Sequence, residues 1–269
     1  MNGLLHIEQT FAALKEQRRA ALMPYFTLGY PTPAASLDVI DALARTGADL
    51  IELGVPFSDP LADGPTVQHS TQVALEQGIT VRRCLEMVRE IRARGVRQPL
   101  LLMGYINPVL AYGVDRYAAD VCAAGADGLI MPDLPMEEAD ALDAACRKYG
   151  LALVYLASPA STPERLAALA QKTSGFLYLV SLAGVTGARS TLSPELAGFV
   201  ERVRAVANVP LAVGFGISTP QHAQAVAGMA DGVIIGSALV HAAGKAENPV
   251  EGATKYMEEI HAALVACAG

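Results

Sequence analysis

Two carboxylates eleven residues apart, Glu52 and Asp63, are the side chains of this 269-residue sequence best placed for proton chemistry. Glu52 lies inside the apolar run Ala48-Asp49-Leu50-Ile51-Glu52-Leu53-Gly54-Val55, where a carboxylate is buried and costly unless paired or neutral. Burial disfavours the ionised form and lifts a glutamate toward neutral pKa, which suits a residue that both gives and takes a proton. The plainer alternative is a structural carboxylate satisfied by backbone N–H groups. Asp63 follows in Pro56-Phe57-Ser58-Asp59-Pro60-Leu61-Ala62-Asp63-Gly64-Pro65, a loop able to fold back over the strand end. As the first residue of an Asp-Gly pair it also fits ordinary turn chemistry. Tyr178, in the apolar run Phe176-Leu177-Tyr178-Leu179-Val180, is either an active-site phenol or a core aromatic whose hydroxyl needs a partner.

The elements that must hold these residues alternate along the chain. Leu4, Ile7, Phe11 and Leu14 recur at helical spacing, which predicts an amphipathic N-terminal helix. Short apolar runs follow at 20–27, 49–53, 99–103, 127–131, 151–156, 176–180, 210–213 and 232–235. Helical patterns separate them at 36–45, 67–77, 80–94, 114–124, 136–148, after Thr162-Pro163, at 194–207, after Thr219-Pro220 and at 249–267. Strands that are apolar throughout are buried on both faces, as in a parallel sheet. Eight of them within 269 residues predict an α/β fold, a single (β/α)8 TIM barrel over 1–269 with an additional N-terminal helix that could cover its bottom. A doubly wound open sheet, the competing architecture, more often has fewer strands.

In a barrel, chemistry sits at the carboxyl ends of the strands. Glu52, Asp63 and Tyr178 fall there, as do Gly214-Phe215-Gly216 after the seventh strand and Gly236-Ser237 after the eighth, the places where barrels often hold a phosphate. The long loop from Ser181 to Pro194, containing Gly184-Val185-Thr186-Gly187, has the length of a functional lid.

Composition excludes other classes. The net charge is −7 and no Lys/Arg run is present, which argues against nucleic-acid and membrane-surface binding. The start lacks the basic and apolar blocks of a secretory signal, and no apolar run is long enough to span a membrane, so a soluble, cytoplasmic protein is expected. Cys84, Cys122, Cys146 and Cys267 form no C-x-x-C pair, and the five histidines show no metal-ligand spacing.

Over essentially its whole length the sequence resembles the tryptophan synthase alpha subunit family. The segments that carry the likeness are Pro24-Tyr25-Phe26-Thr27-Leu28-Gly29-Tyr30-Pro31, the Glu52 to Pro65 stretch, Met131-Pro132-Asp133-Leu134-Pro135, Gly184-Val185-Thr186-Gly187, Gly214-Phe215-Gly216-Ile217 and Gly236-Ser237. The resemblance implies a lyase that cleaves indole-3-glycerol phosphate to indole and glyceraldehyde 3-phosphate by a retro-aldol reaction. It implies Glu52 as the acid/base, Asp63 as the carboxylate at the indole N–H and Tyr178 as a catalytic-site tyrosine. Tyr25, Tyr105, Thr186, Gly187, Phe215, Gly216, Gly236 and Ser237 are implied as substrate- or phosphate-binding residues. Tyr25 and Leu182 depart from some relatives, which have phenylalanine and arginine there. The implied partner is a beta subunit in an alpha2beta2 assembly. Pyridoxal phosphate belongs to that partner, and no cofactor is expected in this chain. Rival readings are a glycosidase, which also uses two carboxylates, and a non-catalytic regulatory subunit.

Overall fold

Asp49, Asp127 and Asp231 each stand just before a strand, and each ties that strand to its neighbour twice. In the computed structural model, which describes residues 2–181, 195–214 and 216–266, the three strands they precede are β2 (Ile51–Gly54), β4 (Gly128–Ile130) and β9 (Gly232–Ile235). Their neighbours are β1 (Ala21–Thr27), β3 (Leu100–Met103) and β8 (Leu211–Gly214). The amide N–H of each aspartate donates to a carbonyl of the neighbouring segment, at Leu22, Leu100 and Leu211, 2.7–2.9 Å away. The N–H of the same leucine donates back to the aspartate carboxylate at 2.7–2.8 Å. An arginine completes each site: Arg19 bidentate on Asp49, Arg92 on Asp127 and Arg204 on Asp231. Ser174 takes the same place before β7 (Leu177–Val180), its hydroxyl accepting the Leu153 N–H at 2.8 Å.

All strand pairs are parallel, in the order β5-β4-β3-β2-β1-β9-β8-β7-β6. The ends of that order, β5 (Ala152–Val154) and β6 (Leu156–Ala157), are adjacent in the chain, so the ring closes through Tyr155. The single fifth strand expected at 151–156 is therefore two segments. The physical cause is a change of partner: the Tyr155 N–H donates to the Thr173 hydroxyl at 3.1 Å, and its carbonyl accepts from the Tyr178 N–H at 3.0 Å. The chain leaves β4 on one side of this residue and joins β7 on the other.

The helices are α1 (Gly3–Glu16), α2 (Pro33–Arg45), α3 (Pro65–Glu76), α4 (Val81–Ala93), α5 (Ile106–Tyr112), α6 (Val114–Ala124), α7 (Asp140–Tyr149), α8 (Pro163–Lys172), α9 (Glu195–Arg204), α10 (Pro220–Ala227), α11 (Ser237–Lys245) and α12 (Pro249–Ala266). Most of the starts are legible chemistry. Thr32, Thr162 and Thr219 cap α2, α8 and α10, each followed by proline in the first turn. The sequence pattern did not anticipate α5 or α11. Both are short, and the Pro108 in the first turn of α5 reads as a breaker until its position within the helix is known.

The N-terminal helix covers the amino end of the barrel, as its apolar stripe required. Ile7, Phe11 and Leu14 are buried, and the Phe11 and Phe176 rings meet at 5.7 Å. His6 Nδ1 lies 2.9 Å from the Asp127 carboxylate, and the Leu4 N–H donates to the Gly150 carbonyl. Among the described residues no helix is long and apolar enough to cross a membrane.

Candidate active site

Glu52 is the second residue of β2, paired in register with Tyr25 of β1 and Leu101 of β3. Residues paired across parallel strands share a face, so Glu52 and Tyr25 point the same way. Glu52 is 0 % exposed, and neither carboxylate oxygen has a hydrogen-bond partner among the described residues. Burial pushes its carboxyl up to about 8. A carboxylic acid so placed keeps its proton at neutral pH and is able to donate it.

Two glycines make room for two phenols beside it. A Cβ on Gly54 would lie 2.1 Å from the Tyr25 hydroxyl, and one on Gly214 would lie 2.2 Å from the Tyr178 hydroxyl. Each glycine ends its strand, and each leaves the space in which a tyrosine hydroxyl sits. Burial raises the Tyr178 phenol well above its ordinary value, helped by the negative charge of Glu52 and Asp63. The Tyr25 phenol is raised by burial and then by Asp63, with Glu52 adding to it. The two hydroxyls reach Gly54 and Gly214, the last residues of β2 and β8, and Asp63 follows β2, so these groups stand at the carboxyl end of the barrel.

A run of hydroxyls fixes the Tyr25 proton. The Ser70 hydroxyl donates to the Val67 carbonyl at 2.9 Å, so the 2.7 Å bond between Thr27 and Ser70 has Thr27 as donor. The Thr27 oxygen then accepts from Tyr25 at 3.3 Å. The Tyr25 oxygen is left with its acceptor capacity free of that bond. Thr27 and Ser70, both buried, were not among the sequence candidates, because their spacing becomes meaningful only once α3 packs on β1.

Asp63 belongs to the β2–α3 loop and is partly buried. Its carboxylate accepts the Tyr105 hydroxyl at 2.9 Å, and that hydroxyl also accepts the Ala62 N–H at 3.1 Å. Burial pushes the Asp63 carboxyl up to about 6, a rise that the Tyr105 hydrogen bond opposes. The Phe57 ring lies 5.3 Å from the Tyr105 ring. One tyrosine thus receives three residues of the loop.

Gly216 and Gly236-Ser237 follow β8 and β9 at the same end of the barrel. Gly216 is exposed with φ of 73°. Ser237 is the exposed first residue of α11, and Gly236 precedes it as an N-cap without a side-chain hydrogen bond, so no side chain of its own caps the helix start. A helix start of this kind presents N–H donors to an anion. Thr186, Gly187 and Phe215 lie outside the described residues, as does most of the Ser181 to Pro194 loop. Among the described residues no cluster of His, Cys, Asp and Glu could hold a metal.

A parallel barrel with a buried, unpartnered glutamate, a loop aspartate and two buried phenols at its carboxyl end defines an enzyme of the (β/α)8 class. The family profile described as "Tryptophan synthase alpha chain" matches residues 11–266. The tryptophan synthase alpha chain of Chloroflexus aurantiacus is 50% identical over 260 residues, covering 96% of this chain and 98% of the relative. That of Roseiflexus castenholzii is 52% identical over 235 residues, covering 87% and 90%. Among solved structures, tryptophan synthase of Mycobacterium tuberculosis superposes with a TM-score of 0.89 at 42% identity, covering 96% of this chain and 97% of the other. Tryptophan synthase subunit alpha of Legionella pneumophila gives 0.90 at 40% identity, covering 98% of each. The chain belongs to the tryptophan synthase alpha chain family.

Proposed function

We propose that this chain cleaves indole-3-glycerol phosphate to indole and glyceraldehyde 3-phosphate, with Glu52 and Asp63 dividing the work. The observation that carries this reading is the unpartnered, fully buried Glu52 carboxyl with its pKa near 8, together with an Asp63 held near 6 on the loop that follows the same strand. Protonating indole C3 makes that carbon tetrahedral and breaks the aromatic ring system, so the step needs an acid at C3 and a negative charge near N1. Between about 6 and 8 Glu52 carries the proton and Asp63 the charge.

Glu52 gives its proton to C3, and positive charge develops at N1, where Asp63 accepts the N–H bond. The resulting Glu52 carboxylate then removes the proton from the glycerol hydroxyl on the carbon attached to the ring. That carbon becomes the aldehyde, its bond to C3 breaks, and the electron pair restores the aromatic indole. Tyr178 and Tyr25 line the space with Glu52, and Tyr105 holds Asp63. The phosphate is taken by the N–H groups around Gly216 and Gly236-Ser237, with Thr186, Gly187 and Phe215 as further contacts.

In the same reading residues 1–269 form one catalytic domain that works as the alpha subunit of tryptophan synthase, in an alpha2beta2 assembly, and passes indole to a beta subunit. That partner carries pyridoxal phosphate and this chain needs no cofactor. The setting is the cytoplasm, with which the free thiols of Cys84, Cys122 and Cys146 agree. The direct test is indole release from indole-3-glycerol phosphate by the purified chain, alone and with a beta subunit. Release in either condition supports the reading; its absence in both, with glyceraldehyde 3-phosphate also absent, overturns it.

A further inference from the structure

Asp133 lies on the loop after β4 and is exposed. Its two carboxylate oxygens accept the Ile106 N–H at 3.0 and 3.2 Å. Ile106 is the first residue of α5, and the helix has no cap of its own: the N-cap position is Tyr105, with no side-chain hydrogen bond of that kind. Asp133 supplies the missing cap from another loop, with a negative charge at a helix N-terminus, where it is favoured. One residue to the other side of Tyr105, the Gly104 N–H donates to the Ile130 carbonyl at 3.1 Å. The backbone of Tyr105 is thereby pinned before and after to the 130–133 segment.

We propose that Asp133 is a positioning residue for Asp63: by capping α5 it fixes where Tyr105 stands, and the Tyr105 hydroxyl fixes Asp63 and Ala62 of the β2–α3 loop. This rests on the assignment of Asp63 as the carboxylate at the indole N–H. The chain of contacts is continuous from Asp133 to the Ile106 N–H, through the Tyr105 backbone to its hydroxyl, and on to the Asp63 carboxylate at 2.9 Å and the Ala62 N–H at 3.1 Å. Phe57 against the Tyr105 ring adds a third point of the same loop. The loops after β2, β3 and β4 therefore meet at one tyrosine. The carboxylate that does the holding is exposed, while the one that is held is partly buried.

The test is a double-mutant cycle on indole release, run with the chain alone and with its beta subunit: Asp133→Ala, Tyr105→Phe and the two combined, with Asp133→Asn alongside. Asp133→Ala is expected to lower kcat about fivefold, the size of a lost helix cap, with KM near wild type. Asp133→Asn keeps an oxygen acceptor for the Ile106 N–H and should retain most of the rate. In the Tyr105→Phe background Asp133→Ala should cost nothing further, because its route to Asp63 is already cut. The acid limb of the pH–rate profile should move upward in both single variants, since the Tyr105 bond favours ionised Asp63. Costs that multiply in the double variant, or an unmoved acid limb, overturn the proposal. Asp63→Asn measured alongside separates the two layers. If it turns over like wild type, the reading of Asp63 is wrong and this proposal falls with it. If it is crippled while the cycle multiplies, this proposal alone is wrong. The same cycle with Asp133→Ser keeps the test decisive should the alanine variant not fold.

Discussion

At the amino end of the barrel Asp49, Asp127 and Asp231 each meet an arginine and a backbone N–H of the neighbouring strand. At the carboxyl end Glu52, with no exposure at all, meets neither. Both kinds of carboxylate belong to the wall of the same ring, and at β2 they are close neighbours in the chain, Asp49 just before the strand and Glu52 within it. At the amino end, charge and hydrogen bonds satisfy the group and join strands. At the other end, desolvation is left uncompensated, and the carboxyl holds a proton instead. The difference shows that a barrel of this kind separates what holds it together from what it does. The arrangement that stabilises a carboxylate is the one that would disable it as an acid.

The largest expected effect tests the carboxyl end. Glu52→Gln should reduce indole release by roughly 10² to 10⁴-fold, the usual worth of general acid–base catalysis. Its melting temperature should hold or rise, because no partner is lost. Near-wild-type turnover would break the comparison at its functional end. Asp127→Ala tests the amino end and should do the reverse. It leaves the Leu100 N–H without its acceptor and the Arg92 guanidinium without its carboxylate, with only the Gly125, Val96 and Gln98 carbonyls still accepting from it, at a cost of roughly 3 kcal/mol in denaturant unfolding. Activity per folded molecule should be retained. A stability unchanged from wild type would show that the amino-end aspartates are not the structural counterpart of Glu52.

The smallest effect is in the pH dependence. Indole release should be bell-shaped, rising as Asp63 ionises near 6 and falling as Glu52 loses its proton near 8. Stability carries the same signature. The folded Glu52 binds its proton more tightly than the unfolded one, so its contribution is fully present below about 4.5 and declines as pH rises to about 8. Glu52→Gln should remove that decline, which denaturation of both proteins across pH 5 to 8 would measure. A variant that kept the wild-type slope would show that the proton is held elsewhere.

Much of this was legible in the residues. The eight apolar runs fall where the barrel strands lie, and Glu52 stood out as a charge in a place built for aliphatic side chains. Asp49 and Asp127 were equally visible, yet their pairing was not. A carboxylate that accepts an N–H from the neighbouring strand leaves no trace in local sequence, because its partner is 27 residues away. The break at Tyr155 was hidden for a related reason: Leu151 to Leu156 is apolar throughout, and the Thr173 hydroxyl that takes the Tyr155 N–H is 18 residues away. Tyr105 was expected at the substrate through family likeness. Its hydroxyl lies on Asp63, and the route from Asp133 needs α5, a helix whose proline concealed it.

Tyr155 also has a mechanical meaning. Elsewhere around the ring, neighbouring strands are joined by ladders whose hydrogen bonds lock register and spacing together. Across the seam at Tyr155 the ladder is made partly of side chains: the Ser174 hydroxyl accepts the Leu153 N–H and the Thr173 hydroxyl the Tyr155 N–H. A backbone carbonyl is fixed by its own strand, whereas a hydroxyl swings about a side-chain torsion. The seam is thus held by acceptors that a rotamer change would release, and the wall that carries Tyr25 and Glu52 is held there by backbone pairing.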